Sequence, residues 1–560
     1  MDEAYLIVRN RNYSNNIALF GNKIVCESCD LEKMIVAISN QNATLIIDTK
    51  YAYNLELRSL SSNKSLLCQI ASYKFAEHGT YILDIMQNTS TTDVCSIKQV
   101  GNPSYYWTPA ILAIIFVILY TVLVQFWHYF YRSRYFDYFR RNNSHQRLIN
   151  DNLGTIPQGS PENIQQQNIN VSDEDVIRIA ASKSGGYWFF DHSIWNGLTL
   201  ADLVFPWFAW MMGVSIVLSQ RSLRSKNIPK RNIFLKIYRR TIILFVLGLS
   251  GQSDLPTLRN LRIFGVLQRL ATCYFFTAIL VLVFEKKDDE RDTTRLPIGD
   301  NIEQPLRIEL FKSVFQYWIQ WLFVILIIIA WILITFLLPV PNCPTGYLGP
   351  GGKHDHGKYW NCTGGAAGYI DRVILGNSHL YDQPTCKEIY STKIPYDPEG
   401  IMGILTGIFL CYLGVQAGHS FVHSTRVRRV CVHWIVSSII CGCLGLGLSH
   451  GGHSDSLIPI NKNLWSLTFV FILASLAFMI LTILYLVVDV RQWFTGAPFL
   501  WLGMNSIVIY ICHGRFGGSF PVQFEVNNTH AEQIAMHLYG AIFWSFVAGC
   551  MYYKKIFIAI

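Results

Sequence analysis

The chain has 560 residues, of which 51% are apolar and only 15% are charged. Soluble globular proteins carry roughly 25% charged residues, so this composition excludes an ordinary soluble enzyme. The 46 Lys and Arg residues exceed the 37 Asp and Glu residues, which gives a net charge of +9. These basic residues lie in short clusters beside long apolar runs, an arrangement typical of a polytopic membrane protein rather than a nucleic-acid-binding surface.

Residues 1–106 are predicted to form a small, lumenal β-sandwich. Short β-branched runs at 33–39, 43–48 and 81–86 alternate with turn residues. The region contains four cysteines and four glycosylation sequons: Cys26, Cys29, Cys68 and Cys95, and Asn12, Asn42, Asn63 and Asn88. Both features indicate an oxidising lumen, so we expect structural disulfides, with three connectivities open. A zinc or redox role for the single CxxC is the weaker alternative, because no second pair follows it.

The remainder of the chain is predicted to be mainly α-helical and to cross the bilayer about ten times. A membrane-spanning helix needs about 20 predominantly apolar residues. Ten stretches qualify: 107–126, 198–219, 237–251, 263–284, 315–338, 400–417, 430–449, 464–488, 498–513 and 535–552. The weakest are 237–251, which is short, and 498–513, which contains Asn505 and Ser506.

Basic clusters orient these spans, because cytoplasmic loops collect Lys and Arg. Such clusters follow both the first span, 107–127, and the second span, 198–219: Arg132, Arg134, Arg140, Arg141 and Arg147, then Arg221, Arg224, Lys226, Lys230 and Arg231. One crossing cannot begin and end on the same side of the membrane. The intervening 128–186 is polar and is predicted to be a cytosolic, disordered linker. Either a helix is missing from this interval, or span 198–219 inserts against its charges.

The second large lumenal segment is predicted at 340–399, within the membrane bundle 187–560. It contains a sequon at Asn361 and three cysteines, Cys343, Cys362 and Cys386. Because three is odd, one thiol is expected to pair outside this loop or to remain unpaired.

Polar residues inside spans are costly and are functional candidates by default. The candidates here are Asp202, Gln268, Arg269 and Asn505. Asp202 and Arg269 could instead neutralise each other within the bundle. Arg239 and Arg240 begin a span at its cytosolic end and could hold an anionic ligand or serve as plain membrane anchors.

His192 precedes span 198–219 and lies among the aromatic residues Tyr187, Trp188 and Trp195. An imidazole near neutral pH can act as a general base or a nucleophile. The alternative is an interfacial residue, since aromatic neighbours are typical of a membrane boundary.

Several long strings, in order along the chain, resemble the heparan-α-glucosaminide N-acetyltransferase family. They are YWFFDHSIWNGLTLADLVFPWF, RIFGVLQRLATCYF, PNCPTGYLGPGG, YWNCTGGAAGYIDR, YDPEG, INKNLWSL and GMNSIVIY. The family's active-site histidine falls on His192, the Asn of its WNG motif on Asn196 and the Arg of its LQR motif on Arg269. Asn196, Asp202 and Asn505 are expected to support the substrate pocket. Four residues are expected to bind acetyl-CoA: Arg239, Arg240, Gln268 and Arg269.

The resemblance implies a multi-pass lysosomal enzyme with eleven membrane helices. It would transfer acetyl from cytosolic acetyl-CoA to the terminal, non-reducing α-glucosamine of heparan sulfate in the lumen. The partners are then the bilayer, acetyl-CoA and the polysaccharide end, and a homodimer is one assembly compatible with the sequence. A thioester is already activated, so no metal is expected. The rival interpretations are a non-enzymatic transporter and an acyltransferase that acts on another sugar or a lipid.

The chain departs from the family pattern where the charge rule also fails. The family carries a transmembrane helix before GGYWFF that ends in an Asn-Tyr-Gly run. Here IRIAASKS leads directly into GGYWFF, and Ala181 stands where the family has Asn. The alternatives for this chain are therefore an active enzyme and an inactive or incomplete isoform.

Overall fold

The computed structural model describes residues 2–10, 15–60, 65–86, 94–103, 107–146, 187, 190–250, 258–284, 316–424, 426–516, 522, 526–527 and 529–558. The predicted linker beyond Gln146, Ala181, Trp188 and the sequons at Asn12, Asn63 and Asn88 lie outside these residues.

The N-terminal region is a β-sandwich, as predicted. Its strands are β1 (Glu3–Arg9), β2 (Ile17–Lys23), β3 (Glu32–Ala37), β4 (Asn42–Asp48), β5 (Tyr53–Ser59), β6 (Leu66–Tyr73), β7 (Thr80–Met86) and β8 (Val94–Gln99). They form two four-stranded sheets with the orders β4-β1-β7-β8 and β3-β2-β5-β6. Alternate residues point inward, so Leu6 and Leu83 from one sheet meet Leu19 and Leu55 from the other in a shared core.

The cysteines pair as the lumenal assignment requires. The disulfides join Cys26 to Cys29, Cys68 to Cys95 and Cys343 to Cys362. Cys386 remains a buried free thiol, which is one of the two outcomes expected for the odd cysteine of loop 340–399.

The rest of the described chain is mainly helical. The helices are α1 (Trp107–Gln146), α2 (Leu200–Ser225), α3 (Lys230–Ser250), α4 (Val266–Phe284), α5 (Trp318–Leu337), α6 (Gly365–Leu375), α7 (Cys386–Tyr390), α8 (Ile401–His423), α9 (Val427–Leu448), α10 (Leu467–Leu484), α11 (Phe499–Met504), α12 (Ser506–Phe516) and α13 (His530–Tyr553). Helix α1 extends well beyond the predicted span, so the linker expected from residue 128 is helical as far as Gln146.

Eight helices within the described residues are long and apolar enough to cross a membrane, which is the pattern of a polytopic membrane protein. They are α2, α4, α5, α9, α13, Trp107–Trp127 of α1, Ile401–Val422 of α8, and Leu467–Val490, in which a π-helical turn continues α10. The two stretches that are weakest in sequence fall short of this criterion. Stretch 237–251 lies in α3, whose first half is charged, and 498–513 is divided into α11 and α12 at Asn505.

Helix α8 is the centre of the bundle. In its apolar stretch of 18 residues 89% of the residues are buried, whereas in that of α1 only 6% are buried. Helix α2 packs against α8 through glycines on both sides. A Cβ on Gly213 would lie 1.9 Å from the Cys411 carbonyl oxygen, and one on Gly414 would lie 1.8 Å from that of Trp210. Only glycine permits this close approach of two helix backbones, and it fixes the position of the first turn of α2.

Helices α1 and α2 both begin on the side of the sandwich. Helix α1 follows β8 closely, and the residues just before α2 contact the sandwich directly through a 2.5 Å ion pair between Asp191 and Lys50. His192 therefore lies beside the sandwich. Residues 147–186, the part of the interval in which the sequence predicts a missing helix that lies beyond α1, are outside the described residues.

Candidate functional site

The centre of the site is an Asp–His pair at the start of α2. Asp202 lies in the first helical turn and is fully buried. Its Oδ2 accepts hydrogen bonds from the backbone N–H of Ser193 (3.1 Å) and from the N–H and hydroxyl of Thr199 (3.2 and 2.9 Å). Its other oxygen, Oδ1, lies 2.8 Å from Nδ1 of His192. The capping bonds thus hold one carboxylate oxygen in place while the other orients the imidazole.

Lys462 completes this cluster from the segment before α10. Its Nζ lies 2.8 Å from Nδ1 of His192 and 3.2 Å from Oδ1 of Asp202. An ammonium only donates and a carboxylate only accepts, so Nδ1 either donates to Asp202 or accepts from Lys462. When Nδ1 donates, the ammonium can bond to Asp202, and the lone pair of Nε2 is available for chemistry.

The far nitrogen of His192 is open. The side chain is 47% exposed, and Nε2 has no hydrogen-bond partner among the residues that the structure describes. An imidazole held at Nδ1 by a buried carboxylate and free at Nε2 can accept a proton or attack a carbonyl carbon.

Asn196 lies four residues after His192, and both ends of its amide are held. Its Nδ2 donates to Oε2 of Glu27 in the sandwich (3.1 Å), and its Oδ1 accepts from Nδ2 of Asn461 (3.1 Å). The neighbouring Gly197 N–H donates to the carbonyl of Ile460 (2.8 Å), so a short bridge joins the two segments. The structure thus assembles three predicted residues, His192, Asn196 and Asp202, on the side of the bundle that faces the sandwich.

Arg269 is also on this side, at the start of α4. It is completely buried and donates from Nη2 to the carbonyls of Pro398 (2.7 Å) and Gly400 (3.2 Å). Its guanidinium lies 4.6 Å from the centre of the Trp465 ring, which is three residues from Lys462. It is bound to backbone carbonyls, so the mutual neutralisation of Arg269 and Asp202 considered from sequence is not observed.

Gln268 is buried beside Arg269 and fills a gap between glycines. A Cβ on Gly248 or on Gly265 would lie 2.4 or 2.9 Å from its Oε1. The structure therefore divides the four residues predicted to bind acetyl-CoA into two pairs. Gln268 and Arg269 lie in the first turn of α4, whereas Arg239 and Arg240 lie midway along α3.

Arg239 and Arg240 differ in their surroundings. Arg239 is exposed, whereas the guanidinium of Arg240 lies 4.8 Å from the centre of the Tyr274 ring of α4. A cation over an aromatic face is stabilised there, so Arg240 is held between the two helices and Arg239 is accessible.

A buried ion cluster lies between α4 and α8. Arg262 forms a bidentate pair with Asp397 (2.6 and 2.8 Å) and also bonds to Glu399 (2.6 Å). Burial acts to raise the pKa of the Glu399 carboxyl group. The nearby positive charges of Arg262, Arg269 and Lys462 stabilise the carboxylate and hold this pKa below its ordinary value. Glu399 therefore links the Arg262 pair electrostatically to the His192 site.

Asn505 is not brought to this site. It lies between α11 and α12, where its Nδ2 donates to the Ile556 carbonyl (3.1 Å) and its Oδ1 accepts from the Ile558 N–H (3.1 Å). Ile556 and Ile558 follow the end of α13, whereas the start of α13 faces the sandwich through the ion pair of His530 with Glu77. Asn505 thus secures the C-terminal segment at the opposite end of the bundle.

Two of the predicted glycosylation sites can be located, and both are accessible. Asn42 begins β4 and Asn361 lies in loop 340–399, and both side chains are exposed. Among the residues that the structure describes, no group of three or more His, Cys, Asp or Glu side chains is placed so that it could hold a metal ion.

Sequence reasoning missed Glu27, Asn461 and Lys462 as members of the site. Lys462 and Asn461 stand in INKNLWSL, one of the strings that carry the family resemblance, and Glu27 stands within the CxxC of the sandwich. Nothing in either segment indicates that it contacts His192 or Asn196.

Comparisons with known proteins identify the family to which the chain belongs. The chain is 34% identical, over 594 residues, to the heparan-alpha-glucosaminide N-acetyltransferase of Homo sapiens, and 33% identical, over 592 residues, to that of Mus musculus. Each alignment covers 100% of this chain and 88% of the relative. No protein-family model matches the chain. Identity at this level over the whole chain establishes that it is a member of the heparan-α-glucosaminide N-acetyltransferase family.

Proposed function

We propose that the chain transfers an acetyl group from acetyl-CoA to the terminal α-glucosamine of heparan sulfate across the lysosomal membrane. The observation that carries the proposal is that buried Asp202 holds His192 at Nδ1 while the imidazole, beside the sandwich, is 47% exposed. Acetyl transfer to an amine needs a group that takes the amine's proton, and an imidazole oriented in this way is suited to it. The relatives' name specifies the acceptor sugar.

Two routes are open to His192. As a general base, Nε2 takes the proton of the attacking glucosamine amine while that nitrogen bonds to the acetyl carbon and the CoA thiolate leaves. As a nucleophile, Nε2 first attacks the acetyl carbon and the CoA thiolate leaves. The glucosamine amine then attacks the acetyl-imidazolium, and the released imidazole takes the amine's proton. In both routes Asp202 stabilises the imidazolium that forms, and Lys462 offsets the carboxylate charge when the imidazole is neutral.

Acetyl-CoA would bind with its phosphates on the cytosolic side, because several negative charges cannot enter the bilayer. Accessible Arg239, supported by Arg240, is the proposed phosphate contact, since guanidinium groups bind phosphate through paired hydrogen bonds. Arg269 and Gln268 lie in the first turn of α4 instead, where Arg269 contacts Trp465, and would support the acetyl-bearing end of the donor.

A reconstituted system tests this proposal. The purified chain is inserted into sealed vesicles, acetyl-CoA is supplied on the face that carries Arg239, and glucosamine is supplied on the face that carries the sandwich. We expect CoA to be released only when glucosamine is present, and N-acetylglucosamine to form on the face that carries the sandwich. Glucosamine crossing the membrane without acetylation would identify a transporter, and acetylation of other amines in preference would identify a different acyltransferase.

A further inference from the structure

The turn formed by residues 26–29, which we call the CESC turn, brings the sandwich into the site. It follows β2 and is closed by the Cys26–Cys29 disulfide. Ser28 has a φ of 53°, a left-handed conformation that the tight turn requires. The disulfide packs in an apolar cluster with Trp195 and Tyr390, so the turn is buried against the membrane portion of the chain.

Hydrogen bonds fix the CESC turn on loop 340–399. The hydroxyl of Tyr390 donates to the Val25 carbonyl (3.1 Å) and accepts from the Glu27 N–H (3.3 Å). On the other side of the turn, the His356 N–H donates to the Ser28 carbonyl (2.9 Å). The backbone that carries Glu27 is therefore held at both ends.

From this fixed backbone, the Glu27 side chain reaches Asn196. A carboxylate can only accept hydrogen bonds, so it requires the NH₂ group of Asn196 to face it at 3.1 Å. The amide oxygen then faces Asn461. Of the two amide orientations, Glu27 thus selects one.

We propose that Glu27 is a positioning residue that orients the Asn196 amide for the acceptor sugar. In this orientation one N–H and one oxygen lone pair of half-buried Asn196 remain for a polar ligand. The hydroxyls and amine of an amino sugar can accept from the first and donate to the second. The inference rests on the proposed function, since it assigns the β-domain a part in binding that acceptor.

The test compares three variants of the full chain. Glu27→Ala removes the carboxylate that accepts the Asn196 hydrogen bond, and Glu27→Gln retains one oxygen that can accept it. Glu32→Ala is the matched control. Glu32 lies on the same domain and pairs with Lys353 of the same loop (2.5 Å), but no contact with Asn196 is described for it. Misplacement of a positioning group can cost up to about 100-fold. We expect Glu27→Ala to raise KM for glucosamine about tenfold or more, with KM for acetyl-CoA unchanged, Glu27→Gln to recover part of the loss, and Glu32→Ala to match wild type.

A double-mutant cycle with Asn196→Ala separates positioning from general stability. If Glu27 acts through Asn196, Glu27→Ala should have little further effect on KM once Asn196 is Ala. Additive effects, or equal changes in both KM values, would overturn the inference. If wild type transfers no acetyl group, the proposed function fails. Thermal unfolding of wild type, Glu27→Ala, Asn196→Ala and the double variant then tests the contact alone. Non-additive changes in stability would support a contact between Glu27 and Asn196, and additive changes would refute it.

Discussion

Nδ1 of His192 lies 2.8 Å from Oδ1 of Asp202, a carboxylate that is completely buried. Its second oxygen accepts one hydrogen bond from Ser193 and two from Thr199, the N-cap of α2. The helix cap and the candidate catalytic pair are therefore one structure. Because these bonds hold Asp202, the carboxylate cannot turn away from the imidazole without losing them. The Asp202 contact in turn holds the Nδ1 edge of His192.

The proposed cytosolic contact with acetyl-CoA can be tested by removing both arginines of α3. Arg239→Ala with Arg240→Ala should weaken acetyl-CoA binding at least about tenfold, because hydrogen bonds to charged groups contribute roughly 1.5–3 kcal/mol each. Calorimetry at two salt concentrations should also show a smaller salt dependence than in wild type. Arg428→Ala, an exposed arginine at the start of α9, is the control. Unchanged affinity would reassign Arg239 and Arg240 to membrane anchoring.

Asp371 should make the fold more stable at acidic pH. It lies in α6, where burial raises the pKa of its carboxyl group from 3.8 to about 7. Between these values the folded state binds more protons than the unfolded state, so the free energy of unfolding falls as pH rises through that window. Asp371→Asn keeps an oxygen to accept the Ile401 N–H bond (2.8 Å) but cannot ionise. Its Tm should therefore lose less than that of wild type between pH 4.5 and 7.5; an equal loss would contradict the assignment.

Glycan mapping tests the orientation of the chain. We expect sugar on Asn361 and on at least one of the four sandwich sequons, and none on Asn142 or Asn170, because the basic cluster after the first span assigns that region to the cytosol. Mass spectrometry of peptides before and after glycosidase treatment gives the answer. Sugar on Asn142 would overturn the orientation of α1.

The predicted missing helix bears on activity. The alignments with the human and mouse relatives extend over 594 and 592 residues, more than the 560 of this chain, so those relatives have internal residues without counterparts here. Inserting the relatives' segment before GGYWFF should raise the rate of acetyl transfer, since a helix there would restore the charge parity of the spans. Equal rates with and without the segment would remove the reason to consider this chain incomplete.

Local sequence predicted most of the fold, because each kind of element has a recognisable pattern of apolar residues. A membrane-spanning helix has a continuous apolar run, and an amphipathic strand has apolar residues at alternate positions. Lys462 and Glu27 could not be found in this way. They meet His192 and Asn196 across 270 and 169 positions, and such contacts depend on how helices and the sandwich pack. The separation of Arg269 from Arg239 and Arg240, with which it was grouped as a residue that binds acetyl-CoA, likewise depends on how α3 and α4 pack.

The central claim is that His192, held by Asp202, performs the acetyl transfer. The most direct measurement is the rate of acetyl transfer from acetyl-CoA to glucosamine by the purified chain and by His192→Ala, with acetyl-CoA binding measured on the same samples. Loss of a general base costs about 10²–10⁴-fold, so the account predicts a fall of at least that size, a marked fall in Asp202→Asn and undiminished donor binding in both variants. A His192→Ala protein that binds acetyl-CoA and acetylates glucosamine at the wild-type rate would contradict it.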